Sequence, residues 1–274
     1  MYFDLSRVPM RTRLEVLDNH QRNLERYGRS YWDKSPWERK LDLAGIDTNA
    51  KLTKGDDAVN AVQHFAPATR ATDKGTTVCA NAIRAGCQKP CLDDTGRGAF
   101  ATVQASRLYK TMLWTQKPDE YLDYFHKREM PRLQRIAKRK GKPLALRLNG
   151  TSDIDWSFLA EQYPDVIWYD YTKHPERLGN TPDNYHLTLS YSEKEPEYAA
   201  ECIEALNSGH NLAIVCKSAA IHADLVERGS WRGYPTVNGE LSDQRFLDPR
   251  GGYVVLLTPK GKAKRDTSGF TVGY

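Results

Sequence analysis

Three cysteines fall within thirteen residues, Cys79, Cys87 and Cys91, in the segment VCANAIRAGCQKPCLDDTGRG. Soft thiolates at a C-x7-C-x3-C spacing can converge on one metal centre. Three protein ligands leave one iron of a four-iron four-sulfur (4Fe-4S) cluster open to a small ligand, whereas a structural zinc site normally takes four. The iron-sulfur reading leads on that count. Zinc is the alternative, with His64, His186, His210, His222 or Cys216 as an unranked fourth ligand. A third reading is buried free thiols or a local disulfide. Cys202 sits on the apolar face of an expected helix and reads as core.

A second set of polar residues stands at the ends of expected strands, where βα architectures collect their ligands. Asp153, Asp170 and Lys173 are the candidate catalytic groups; Arg147, Asn149, Ser190 and Lys217 are candidates for substrate binding, the lysines for anionic groups. Arg147 and Asp170 lie within apolar strand runs, so each must be paired or must face a cavity. A structural salt bridge is the competing account, and Asp153 could cap the helix starting near Asp155.

The elements that position these residues show in the hydrophobic pattern. Strand-length runs occur at 144–150, 166–172, 185–190, 212–217 and 252–257. Between them lie helical segments, DWSFLAEQY and EPEYAAECIEALNSG, the second with Tyr198, Cys202, Ile203 and Leu206 on one face and Gly209 as its stop. Upstream, GAFATVQASRLYKTMLW and PDEYLDYFHKREMPRLQRIAKRKG read as two helices, with Pro131 kinking or dividing the second. This alternation indicates an α/β protein with βα units in a partial or complete TIM-type barrel, or a doubly wound sheet. Residues 1–57 read as an N-terminal helical extension and 58–274 as the barrel-like domain. The tail KGKAKRDTSGFTVGY has the most disordered character, although its basic residues could close over a site.

Bulk composition narrows the classes. At 274 residues with 39% hydrophobic and 27% charged residues, the chain is a globular protein with room for a sizeable core. It has neither a membrane-length apolar run nor the apolar centre of a signal peptide, which points to the cytoplasm and away from the membrane. The net charge of +5 is too small to dictate a partner. A basic run from Lys127 to Lys142 suits either a phosphate backbone or a solvated helix face. The TGRG loop at 95–98 has too few glycines for a phosphate-cradling motif.

The motifs CANAIRAGCQKPC, DDTGRGAFATVQASRLYKT, LRLNGTSDIDW, YDYTK, NYHLTLSYSE and GKAKRDTSGFTV resemble the phage-encoded gene product 88 proteins from about residue 60 to the C-terminus. At a further remove that family resembles the barrel of radical S-adenosylmethionine enzymes, in which three cysteines after an early strand hold a 4Fe-4S cluster. Those enzymes use C-x3-C-x2-C and a glycine-rich S-adenosylmethionine motif; the spacing differs here and no such motif is evident. The resemblance implies a phage protein, a cluster and a barrel, with S-adenosylmethionine as a further cofactor. Two functional readings stand: a cluster-dependent enzyme on an unknown small-molecule or nucleic-acid substrate in the host cytoplasm, or a non-catalytic zinc- or cluster-stabilised module that binds nucleic acid or a host protein.

Overall fold

A computed structural model describes residues 18, 33–46, 57–68, 77–92 and 95–274. The helices expected in residues 1–57 fall mostly outside this set. Within it, Ser35 caps the short helix α1 (Pro36–Arg39) through a capping box with Glu38. Strand β1 (Ala44–Ile46) follows and pairs antiparallel with β2 (Val59–Gln63). The chain then passes through the cysteine loop to three helical segments: α2 (Ala101–Gln116), α3 (Pro118–Tyr124) and α4 (Met130–Lys140).

A π-helical turn, Phe125–Glu129, joins α3 to α4. Pro131 has no N–H to donate and its ring crowds the carbonyl four residues back, so the wider turn accommodates it without ending the helix. The expected division at Pro131 is therefore a π turn just upstream of it.

From there strand and helix alternate: β3 (Leu144–Arg147), α5 (Ser157–Gln162), β4 (Ile167–Thr172), β5 (Tyr185–Ser190), α6 (Pro196–Asn207), β6 (Leu212–Cys216) and α7 (Ala219–Arg228). Four strands complete the chain: β7 (Ser230–Trp231), β8 (Tyr234–Asn238), β9 (Val254–Leu257) and β10 (Thr271–Val272). The sheet has ten strands among the described residues, nine in the order β1-β2-β3-β4-β5-β6-β9-β8-β7 and β10 off this path against β6. Strands β2 to β6 are consecutive neighbours and parallel, as are β6, β9 and β8. The path ends at β1 and β7, so the sheet is mixed α/β and not closed.

β9 occupies one edge of β6 through Val215, while β5 pairs only with Leu212 and Ala213. The edge freed beyond Ala213 is taken by β10, which pairs with Val215 and Cys216. The tail is thus ordered, and the pairing brings it to the C-terminal end of the parallel strands.

Alternation along each strand gives the sheet two faces. Val59, Ala61, Leu144, Leu146 and Trp168 pack under the helices with Leu108, Met112, Tyr121 and Leu133. Leu189, Leu212, Ile214 and Leu256 do the same beneath Tyr198, Cys202 and Leu206 of α6. Cys202 is fully buried there, as its helix position requires. No helix among the described residues is long and apolar enough to cross a membrane.

Candidate functional site

The other face of the sheet opens at the C-terminal strand ends into a cavity of about 1080 Å³. Its lining follows from topology. His64 comes directly after β2, Asn149 to Ser152 after β3, Lys173 after β4, and Ser190 ends β5. Cys79, Cys87 and Cys91 all line the same cavity, and none of them is in a disulfide.

Contacts from several elements pin the cysteine loop to this rim. Asn81 Nδ2 donates to the Lys173 carbonyl at 2.7 Å, and Arg84 Nη1 to Glu201 of α6 at 2.9 Å. Lys194 donates to the Ile83 carbonyl, and Ser268 of the tail to the Gly86 carbonyl at 3.1 Å. Phe270 and Ala263 of the tail line the cavity, so the segment expected to be the most disordered forms part of its wall.

The electrostatics centre on Lys173. Burial opposes its charge, but Cys87, Asp153, Cys79 and Cys91 around it hold its pKa above the usual lysine range. Burial pushes the Cys79 thiol up to about 12, against the pull of the Ala68 backbone and Lys173, and raises Cys87 as well. Among the described residues, no group of three or more His, Cys, Asp or Glu side chains is placed to hold a metal ion. Thiolates are soft donors and the three share the cavity, but as placed they do not form a metal-holding group.

The other sequence candidates divide. Arg147, Asn149, Lys173 and Ser190 line the cavity, whereas Asp153, Asp170 and Lys217 do not. Asp153 is buried, accepts from the Lys173 backbone N–H at 2.7 Å and pairs with Arg177 at 3.1 Å. It caps no helix; α5 has Trp156 at its cap, and Ser157 N donates to Asp155 at 2.9 Å.

Asp170 alternates with Tyr169 and Tyr171 and turns to the helix-covered face. It accepts from Asn149 N at 2.9 Å, Asn149 Nδ2 at 3.1 Å and Tyr185 Oη at 2.8 Å. Burial pushes its pKa up to about 7, with Arg147 the largest opposing influence. Asn149 reaches the cavity wall, yet its amide is committed elsewhere: Oδ1 accepts from Ser152 Oγ, Ile154 N and Trp156 Nε1, and Nδ2 also donates to the Ile154 carbonyl. Lys217 is exposed, with its backbone N–H bonded to Val272.

Of the residues weighed as a fourth zinc ligand, only His64 lines the cavity; His186 and His210 lie in a separate pocket, and Cys216 is in the core. None of the basic residues from Lys127 to Lys142 reaches the cavity. Sequence reasoning missed two cavity cations, Arg107 and Lys110, which lie on one face of α2. Their i,i+3 spacing, inside a helix otherwise packed on the core, is the signal that marks them.

No curated protein and no solved structure matches the chain. The family model described as gene product 88 matches residues 42–272, reaching further toward the N-terminus than the motifs that first suggested it and taking in all ten strands of the sheet. On that match the chain belongs to the gene product 88 family.

Proposed function

We propose that this protein is an iron-sulfur protein in which Cys79, Cys87 and Cys91 hold a four-iron four-sulfur cluster at the strand rim, with Lys173 beside it. The observation that carries this reading is that three thiols, none in a disulfide, and the half-buried Lys173 share a single cavity. Thiolates are the ordinary ligands of such clusters. A cation beside them offsets the negative charge that thiolate ligation places in a buried site.

The raised thiol pKa values set a condition. Ligands must be deprotonated, so cluster binding releases protons and weakens as pH falls. The loop from Cys79 to Cys91 holds only a short 3-10 turn at Ala80–Ala82 and otherwise turns and bends, so its sulfurs can converge without dismantling a long helix or strand. Consecutive parallel strands β2 to β6 are the winding expected of a partial barrel, and we read the cavity as its mouth. A bound cluster supplies electron transfer and one iron with no protein ligand; Asn149 and Ser152 fix the adjoining turn, and Lys173 presents its charge to whatever binds there.

Anaerobic reconstitution with iron and sulfide tests the reading. Wild-type protein should turn brown and absorb at about 400 nm. Cys79→Ala, Cys87→Ala and Cys91→Ala should each lose most of that absorbance, while Cys202→Ala and Cys216→Ala keep it. Full iron retention in the three loop variants would dismiss the assignment.

A further inference from the structure

We propose that His64, Arg107, Lys110 and Arg147 form a phosphate-binding subsite in the wall of the same cavity, distinct from the cysteine loop. The four come from separate parts of the chain, the turn after β2, helix α2 and the end of β3, and all line the one cavity. Arg107 and Lys110 are 8% and 7% exposed, so both cations are held largely out of water.

Arg147 stacks on Tyr171, with its guanidinium carbon 4.8 Å from the ring centre. Its nearest carboxylate, Asp170, is 3.9 Å from Nε, and the buried Nε has no hydrogen-bond partner. Of the acids that line the cavity, Asp42 pairs with Arg132 at 3.2 Å and Glu240 with Lys260 at 3.2 Å, while Asp243 lies in the field of Arg147. Lys110 donates to the Leu43 carbonyl at 3.0 Å.

Burial first, then Arg107, Lys110 and Arg147, disfavour the protonated form of His64. Gly150 leaves room for the ring, since a Cβ there would stand 2.8 Å from Nε2. A neutral imidazole and three clustered cations suit a doubly charged oxyanion that takes several charge-assisted hydrogen bonds at once. Such a ligand also relieves the cost of holding like charges together in a buried wall. The ligand class is a phosphate or the phosphoryl group of a larger molecule, for which the cavity has room.

The subsite does not rest on the cluster, so it is tested in both wild-type and Cys87→Ala full-length protein. Inorganic phosphate is titrated calorimetrically at constant ionic strength. Saturable binding below about 10 mM is expected in both, in the range that a few charge-assisted hydrogen bonds support. Arg147→Gln and Arg107→Gln should each weaken it by about tenfold or more. Lys264→Gln, on the exposed tail, should leave it unchanged. Circular dichroism checks each variant, and if Arg147→Gln fails to fold, Arg107→Gln decides. Absence of binding to wild-type protein at that concentration, undiminished affinity in the folded arginine variants, or an equal loss in Lys264→Gln would overturn the subsite.

Discussion

Replacing Asn149 by aspartate keeps the shape of the side chain and reverses the hydrogen-bonding sense of one end. In the native protein Nδ2 donates to the Ile154 carbonyl at 2.8 Å and to Asp170 Oδ2 at 3.1 Å. The substitution sets an acceptor against each of these acceptors, and Asn149 is only 3% exposed, so water does not repair the loss. Two failed buried contacts cost about 3 to 5 kcal/mol together, with the upper end applying when the new carboxyl is ionised beside Asp170. For a chain of this size that is a fall of roughly 10 °C in melting temperature.

The same substitution makes the penalty depend on pH. Two carboxyls about 3 Å apart share a proton, which raises the folded-state pKa of the pair above its unfolded value. The folded variant then holds a proton that the unfolded chain releases, so its stability relative to wild type falls as pH rises through the folded value. Thermal unfolding followed by circular dichroism at about pH 5 and about pH 8 should show the variant losing more at the higher pH, by roughly 1 to 2 kcal/mol. An equal deficit at both pH values, or no deficit, would refute the assignment of Asn149 as the hub that joins the β3 turn to β4.

Other substitutions probe the rim and its thiols. Gly150→Ala places a Cβ 2.5 Å from the Gln63 carbonyl, a backbone atom that cannot step aside, and should cost about 2 to 4 kcal/mol in thermal unfolding; Gly273→Ala, with open space around it, should stay within about 0.5 kcal/mol of wild type. Arg177→Ala leaves Asp153 buried without its ion pair and should destabilise by about 3 to 5 kcal/mol in thermal unfolding. The Cys79 thiol, with its pKa pushed up to about 12, should react slowly with iodoacetamide at about pH 8 in folded, metal-free protein and at a normal rate once unfolded in urea, as read by mass spectrometry.

Five strands from β3 onward were legible because they lie in largely apolar runs of strand length: 144–150, 166–172, 185–190, 212–217 and 252–257 contain β3, β4, β5, β6 and β9, while β7, β8 and β10 were not read. β2 was not, because VNAVQ carries two polar residues that are fully buried. Asn60 accepts from Tyr169 Oη at 3.3 Å and Gln63 from Tyr121 Oη at 2.8 Å, contacts made with residues far along the chain that no local pattern reveals. Missing β2 meant missing His64 as a rim residue. Helix α7, capped by Ser218, also escaped, since its buried stripe is thin: only His222 and Leu225 are buried.

For the site, rim placement was readable from strand ends, but the direction of each side chain was not. Asp170 and Arg147 both looked like charges buried in strands; alternation sends Arg147 to the cavity and Asp170 toward the helices. Asp153 was readable as a rim candidate in the turn after β3, yet its partner Arg177 lies beyond β4 and appears only in three dimensions. The tail, polar and basic, gave no sign that it adds a strand to β6.

Native mass spectrometry of anaerobically purified protein addresses the metal centre most directly. The account calls for a species heavier than the chain by about 350 Da, the mass of four irons and four sulfides, that disappears in Cys87→Ala. A bare chain after reconstitution, or an adduct of about 65 Da that marks zinc, would contradict it.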